Sequence, residues 1–207
     1  MSYNCREMEV ELGTRAQPAV ASETARKDSV SESAISNLRA SLSGWARDLL
    51  VSLGIATFII MFLYQPVKVE GTSMLPGLSD QERIFINKFV YHIEPISRGD
   101  VVVFHYPRDP QKSYIKRVIG VSGDTIRIED GVVFVNGKPL RERYIPEEYR
   151  DYRSYPEVKV PAHSYYLLGD HRNMSNDSRD FGPVARHYIY GKAVFAYWPF
   201  DKAGTLK

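Results

Sequence analysis

Thr125-Ile126-Arg127-Ile128-Glu129-Asp130-Gly131-Val132-Val133-Phe134-Val135 reads as two strands joined by a two-residue turn. Ile126 and Ile128 alternate with Thr125, Arg127 and Glu129, the period-2 pattern that sends every second side chain to one face. Asp-Gly tolerates the positive φ that a tight hairpin demands, and Asn136-Gly137 repeats the signal directly after Val135.

Outward from this hairpin the pattern stays β-like. Tyr114 to Ile119 predicts a strand ended by Gly120. Asp100-Val101-Val102-Val103-Phe104-His105-Tyr106 predicts a buried, β-branched strand bounded by Arg98-Gly99 and Pro107. Glu82 to Lys88 alternates about an apolar centre, while Tyr165–Leu168 and Lys192–Trp198 read as closing strands. Residues 139–160 are charged and rich in Tyr and Pro, and read as irregular. No helix longer than a turn or two is expected here. The spacing predicts a mainly β domain over 68–207, with a small β-hairpin subregion at about 121–163.

Upstream the character changes. Leu49 to Val67 carries no charged residue. At about 1.5 Å per residue, a helix of that length spans roughly the hydrocarbon core of a bilayer. Trp45 and Tyr64 bracket the run as interfacial aromatics do. Residues 44–67 therefore read as one transmembrane anchor. A cleaved signal peptide is the rival, since Val69-Glu70-Gly71 resembles a small-x-small processing site; the long polar stretch in front favours the anchor. Positive charge leaves orientation undecided, with Arg39 and Arg47 on one side and Lys68, Arg83 and Lys88 on the other. Residues 1–43 are polar, lack an apolar face and read as a disordered tail with a short helix near Ile35 to Leu42.

Composition sets outer limits. Hydrophobic residues make up 43% and charged residues 25% of 207, which suits one folded domain with appendages. A net charge of +2 is too small to indicate a nucleic-acid partner. Cys5 is the single cysteine, so neither an intrachain disulfide nor a cysteine-based metal cluster is open to the chain. No His-Glu-x-x-His spacing occurs, and no metal or cofactor is expected.

Three places carry candidate chemistry. Ser73 lies in Val69-Glu70-Gly71-Thr72-Ser73-Met74-Leu75-Pro76, just past the apolar run. A serine hydroxyl is a poor nucleophile until a base takes its proton. The five histidines stand in no Gly-x-Ser-x-Gly elbow or triad order. A lysine can serve instead if burial keeps its amine neutral. Lys116 lies in an apolar strand pattern between Ile115 and Val118, where a solvent-facing ammonium is the plainer alternative. The third place is Gly169-Asp170-His171-Arg172-Asn173-Met174-Ser175-Asn176-Asp177-Ser178-Arg179-Asp180. It is either a self-solvating loop or a brace in which Asp177 pairs with Arg179 and Ser175 holds an amine.

Four blocks in order resemble the bacterial type I signal peptidases (leader peptidases, peptidase family S26). They are Gly-x-Ser-Met-x-Pro around Ser73, Arg98–Phe104, Tyr114–Gly120, and the Gly169–Arg179 stretch. The likeness spans roughly Val67 to Trp198 and implies a β-rich catalytic fold shared with the self-cleaving repressor peptidases. It implies Ser73 as nucleophile and Lys116 as general base of a Ser-Lys dyad. Ser175 would orient the amine, and Asp177 with Arg179 would form a supporting ion pair. Val69, Met74, Leu78, Tyr114 and Ile115 would shape a shallow pocket for an alanine-sized side chain. The implied activity is removal of signal peptides from exported preproteins after a small-x-small motif, through an acyl-enzyme. Partners would be the signal peptides, a lipid bilayer and, indirectly, the export machinery. The implied address is a bacterial cell membrane, single-pass, with a cytoplasmic N-terminus and the catalytic domain on the outer, periplasmic or luminal, face.

The chain departs from the family at three points. Gly71 stands where some members place a serine hydroxyl for the oxyanion, leaving the Gly71 backbone or a water as second donor. Gly77 replaces a common threonine, and His171 a frequent asparagine. Two rivals remain: a self-cleaving repressor peptidase, and a membrane-anchored binding protein whose Ser73 and Lys116 are inert. The apolar run, and the absence of a helix-turn-helix pattern, speak against the first.

Overall fold

The computed structural model describes residues 44–59 and 64–206. The expected disordered tail at 1–43, with its short helix near Ile35 to Leu42, lies outside them, as do 60–63 of the expected anchor. The chain divides into two units, Met1–Ile55 and Ala56–Lys207. Helix α1 covers 44–59, and Trp45, Leu49, Leu50, Val51 and Ile55 are exposed along it. Among the described residues no helix is long and apolar enough to cross a membrane.

The anchor was expected to continue through Val67. Instead Tyr64–Lys68 is strand β1, paired antiparallel with β2 (Arg83–Asn87) from Tyr64↔Asn87 to Lys68↔Arg83. Pro66 explains part of the change, because a helix-interior proline removes a hydrogen bond and clashes with the preceding turn. An edge strand accommodates it, and β1 is the sheet edge.

The remaining strands follow in chain order as β3 (Val101–Tyr106), β4 (Asp109–Gly120), β5 (Thr125–Glu129), β6 (Val132–Val135), β7 (Lys138–Pro139), β8 (Tyr155–Lys159), β9 (Ser164–Leu168), β10 (Val184–Ala185), β11 (Ile189–Trp198) and β12 (Gly204–Thr205). Two one-turn helices interrupt them, α2 (Val90–Ile93) and α3 (Ser178–Phe181). The larger sheet runs β1-β2-β11-β3-β4-β9-β10, with β12 added to β11, and the smaller runs β7-β6-β5-β8.

Period-2 alternation on β3 builds a core on both faces of the large sheet. Val101 and Val103 join Val69, Met74, Leu78, Ile84 and Ile86 on one side, while Val102 and Phe104 join Val118, Leu167 and Ile189 on the other. A third cluster joins the two sheets, with Ile119, Tyr166 and Leu168 packed on Ile126, Ile128, Val133 and Val135. Each such fully buried side chain contributes about 1.5–3 kcal/mol by leaving water.

The β5–β6 turn has the geometry its sequence asks for, with φ of 47° at Asp130 and 77° at Gly131. Gly131 is required for a second reason: a Cβ there would lie 2.1 Å from the Asp151 carbonyl oxygen. Strand β8 lies inside the stretch read as irregular. Pro156 and Glu157 hid it, and the structure tolerates them because β8 is an edge strand.

Candidate active site

Ser73 sits on the turn that follows β1. The Val69 N–H donates to Glu82 O at 2.7 Å and the Gln81 N–H to Val69 O at 2.9 Å, extending the β1–β2 pairing by one step. The chain then closes on itself, with the Leu75 N–H donating to Thr72 O and the Leu78 N–H to Met74 O. Met74 and Leu78 drop from this turn into the core and fix the backbone on either side of Ser73.

Lys116 comes from the middle of β4, opposite Val102 of β3. Its Nζ lies 2.6 Å from Ser73 Oγ and donates to Ile115 O at 3.1 Å. The residue is 3% exposed. Burial pushes its amine down to about 8; Asp177 and Asp170 pull upward and Arg179 adds to the lowering. A buried, part-neutral amine within hydrogen-bond reach of a serine hydroxyl is the geometry of a base beside its nucleophile.

The stretch after β9 packs against this pair. The His171 N–H donates to Ser73 O at 3.1 Å, and His171 Nδ1 lies 3.0 Å from Thr72 O. Gly169 lets the two segments touch: a Cβ there would stand 2.2 Å from Ser175 Oγ and 2.5 Å from Ser73 O. Asp177 is fully buried and accepts the Gly169 N–H at 3.0 Å. Arg179 grips Asp177 through two bonds of 2.8 Å, and the same carboxylate caps α3 in a capping box with Asp180. Ser175 Oγ is buried and has no hydrogen-bond partner among the described residues, so the expected bond to the Lys116 amine is not made.

A groove of about 390 Å³ opens beside Ser73 and Lys116. Val69, Tyr114 and Ile115 line it, as expected from the sequence. Met74 and Leu78 do not; at 1% and 2% exposure they fill the core beneath the Ser73 turn. Ile84, Val103 and Tyr190 line the groove in their place. Each stands on a strand whose sequence marks it only as core or sheet, so nothing local could single it out. Residues 67–71 and Ser113–Lys116 border the same groove as strand edges. β1 ends the sheet, and β4 pairs with β9 only from Arg117 onward.

A family model described as signal peptidase, peptidase S26, matches residues 42–198. The chain belongs to the signal peptidase family. Among curated relatives it is 43% identical over 164 residues to signal peptidase I of Leptolyngbya laminosa, covering 75% of this chain and 77% of that protein. It is 33% identical over 182 residues to signal peptidase I of Bacillus licheniformis, covering 84% and 97%. It is also 36% identical over 167 residues to the probable signal peptidase I-1 of Synechocystis, covering 76% and 83%. Family S26 members are serine endopeptidases, and this chain is one.

Three further groups of this signal peptidase-family chain were not singled out from sequence. Arg117 holds Asp170 through bonds of 2.9 and 2.7 Å and donates to Gly99 O at 2.9 Å. Arg172 pairs with Glu142 and donates to Gly169 O at 3.0 Å. Asp151 takes a second bond from Arg179 at 2.8 Å. Arg117 and Asp170 lie inside quoted blocks, whereas Glu142 and Asp151 lie in the stretch read as irregular, where composition alone gives no signal. The backbone donor proposed at Gly71 is also corrected: the Gly71 N–H donates to Asp80 Oδ1 at 2.8 Å and is already engaged.

Proposed function

We propose that this chain is a membrane-bound endopeptidase that removes signal peptides from exported preproteins by a Ser73–Lys116 dyad. The 2.6 Å approach of Lys116 Nζ to Ser73 Oγ carries the reading. In its neutral form Lys116 takes the hydroxyl proton as Oγ attacks the scissile carbonyl carbon. The developing oxyanion meets the Ser73 N–H, which no acceptor takes among the described residues. As the C–N bond breaks, the Lys116 ammonium returns the proton to the leaving amine, giving an acyl-enzyme on Ser73. Lys116 then deprotonates a water that frees the signal peptide and regenerates Ser73.

The substrate would enter extended and hydrogen-bond to the outward edges at 67–70 and 113–115, adding a strand to the sheet. Val69 and Ile115 crowd the groove next to Ser73, which supports a preference for small side chains and a small-x-small motif. Placement at a lipid bilayer is supported by the uncharged run Leu49–Val67 and the exposed apolar residues of α1. On this reading the catalytic domain lies on the outer face, where exported chains emerge.

Cleavage of a preprotein by the purified full chain in detergent, with the cut mapped by mass spectrometry, tests the reading. Ser73→Ala and Lys116→Ala are each expected to abolish cleavage while the far-ultraviolet circular dichroism of the β domain is kept. Retained cleavage in either variant removes the dyad.

A further inference from the structure

The ion pairs behind Ser73 draw on the small sheet as well as on the recognised blocks. Arg179, 3% exposed in its side chain, divides its guanidinium among Asp177, Asp151 and the Arg172 carbonyl oxygen. Asp151 is 8% exposed and sits between the small sheet and this loop. Its carboxylate also accepts from Arg153 Nε at 2.8 Å and Tyr155 OH at 3.1 Å. Its backbone oxygen presses on the β5–β6 turn, since only Gly131 fits there.

We infer that Asp151 is a positioning residue for the Ser73–Lys116 dyad, acting through Arg179 and Asp177. The inference rests on the dyad reading above and extends it to a residue outside the recognised blocks. The chain of contacts is continuous. Asp151 holds Nη1 of Arg179, Arg179 holds both oxygens of Asp177, and Asp177 holds the Gly169 N–H. Gly169 abuts Ser73 O.

Charge travels along the same route. The ionised groups that act on the Lys116 amine are Asp177, Asp170 and Arg179, with the Tyr114 ring 5.5 Å away. Asp170 is paired with Arg117. Arg179 is shared between two carboxylates, Asp177, which acts on the Lys116 amine, and Asp151, which reaches that amine only through Arg179. Asp151 therefore tempers the positive field of Arg179, and without that carboxylate the ammonium form of Lys116 is less favoured. A neutral side chain of the same shape should thus lower the pH at which Lys116 becomes a base. The segment leading into β8 then helps position and tune the base from behind.

The test is a pH–rate profile of the full chain in detergent on a signal-peptide substrate, for wild type, Asp151→Asn and Asp151→Glu. Asp151→Asn keeps the shape and an acceptor oxygen but removes the charge. Its acid limb is expected to move down by about half a pH unit. Asp151→Glu keeps the charge and should leave the limb at the wild-type position, even where the longer side chain lowers kcat. An acid limb unmoved or raised in Asp151→Asn, or displaced in Asp151→Glu, overturns the inference whatever happens to kcat or Tm. The dyad reading fails separately, through a wild-type profile with no acid limb or through cleavage by Lys116→Ala.

Discussion

The Asp80 carboxylate holds the Gly71 N–H at 2.8 Å, two residues before Ser73. The same loop pins Val69 from both sides through Gln81 N and Glu82 O. The approach to Ser73 is thus fixed by the 80–82 turn that leads into β2 rather than left as a free linker.

Asp80→Ala is expected to lower kcat several-fold with little change in Tm, because Asp80 is exposed and its bond orients a turn rather than supporting the core. Gly71 holds the Asp80 carboxyl below the ordinary carboxylate range, and Gln81 adds to the effect. Stability from this bond is therefore present above the ordinary carboxylate pKa and is lost as pH falls through the lowered value. Stopped-flow or fluorogenic peptide assays give kcat; an unchanged kcat would show that Asp80 does not orient Ser73.

The Lys116 amine sits at about 8 against an ordinary 10.5. Activity should rise along a one-proton limb centred near that value as the amine loses its proton. Stability follows the opposite bookkeeping. The unfolded chain binds this proton more tightly, so stability from this group is lost as pH falls from 10.5 towards 8 and stays lost below. Lys116→Met should then be inactive but more stable at pH 7, by up to about 3 kcal/mol. The gain should vanish above pH 10.5, and urea melts at both pH values check it.

Gly169→Ala should damage both stability and chemistry. The added methyl group meets Ser175 Oγ at 2.2 Å and Ser73 O at 2.5 Å, and the Ser73 contact is backbone, which cannot swing aside. A cost of about 1–3 kcal/mol is expected from overpacking. A fall in kcat of about 100-fold should accompany it if Ser73 moves by an ångström.

Leu78→Ala separates core from pocket. With Leu78 fully buried, truncation should cost about 2–5 kcal/mol. The residue preferred at the cleavage site should not change, since Leu78 does not line the groove. Cut-site mapping on a substrate panel decides; a broadened preference would return Leu78 to the pocket.

Much of the β framework was legible because alternation and turn chemistry act locally. Thr125–Glu129 and Val132–Val135 are strands within the bounds their pattern predicts, and Asp130-Gly131 adopts the expected positive φ. Tyr64–Lys68 was not legible as strand, because an apolar run reads alike for a bilayer and for a sheet until its partner Arg83–Asn87 is known. The same limit applied to the pocket. Met74 and Leu78 look like pocket residues beside Ser73, yet a tight turn sends them inward, while Ile84, Val103 and Tyr190 arrive from distant strands. Glu142 and Asp151 were invisible for a related reason: only folding brings them to Arg172 and Arg179.

The buried ion pairs have a consequence for the medium in which the chain can work. Arg117 with Asp170, Arg172 with Glu142, and Arg179 with Asp177 and Asp151 all lie at 11% exposure or less. Dissolved ions screen charges they can surround, and buried pairs are screened far less. The electrostatic setting of Lys116 is therefore nearly independent of salinity. Its pH–rate profile should keep its position from dilute buffer to molar salt, while exposed pairs such as Lys112 with Asp109 fade.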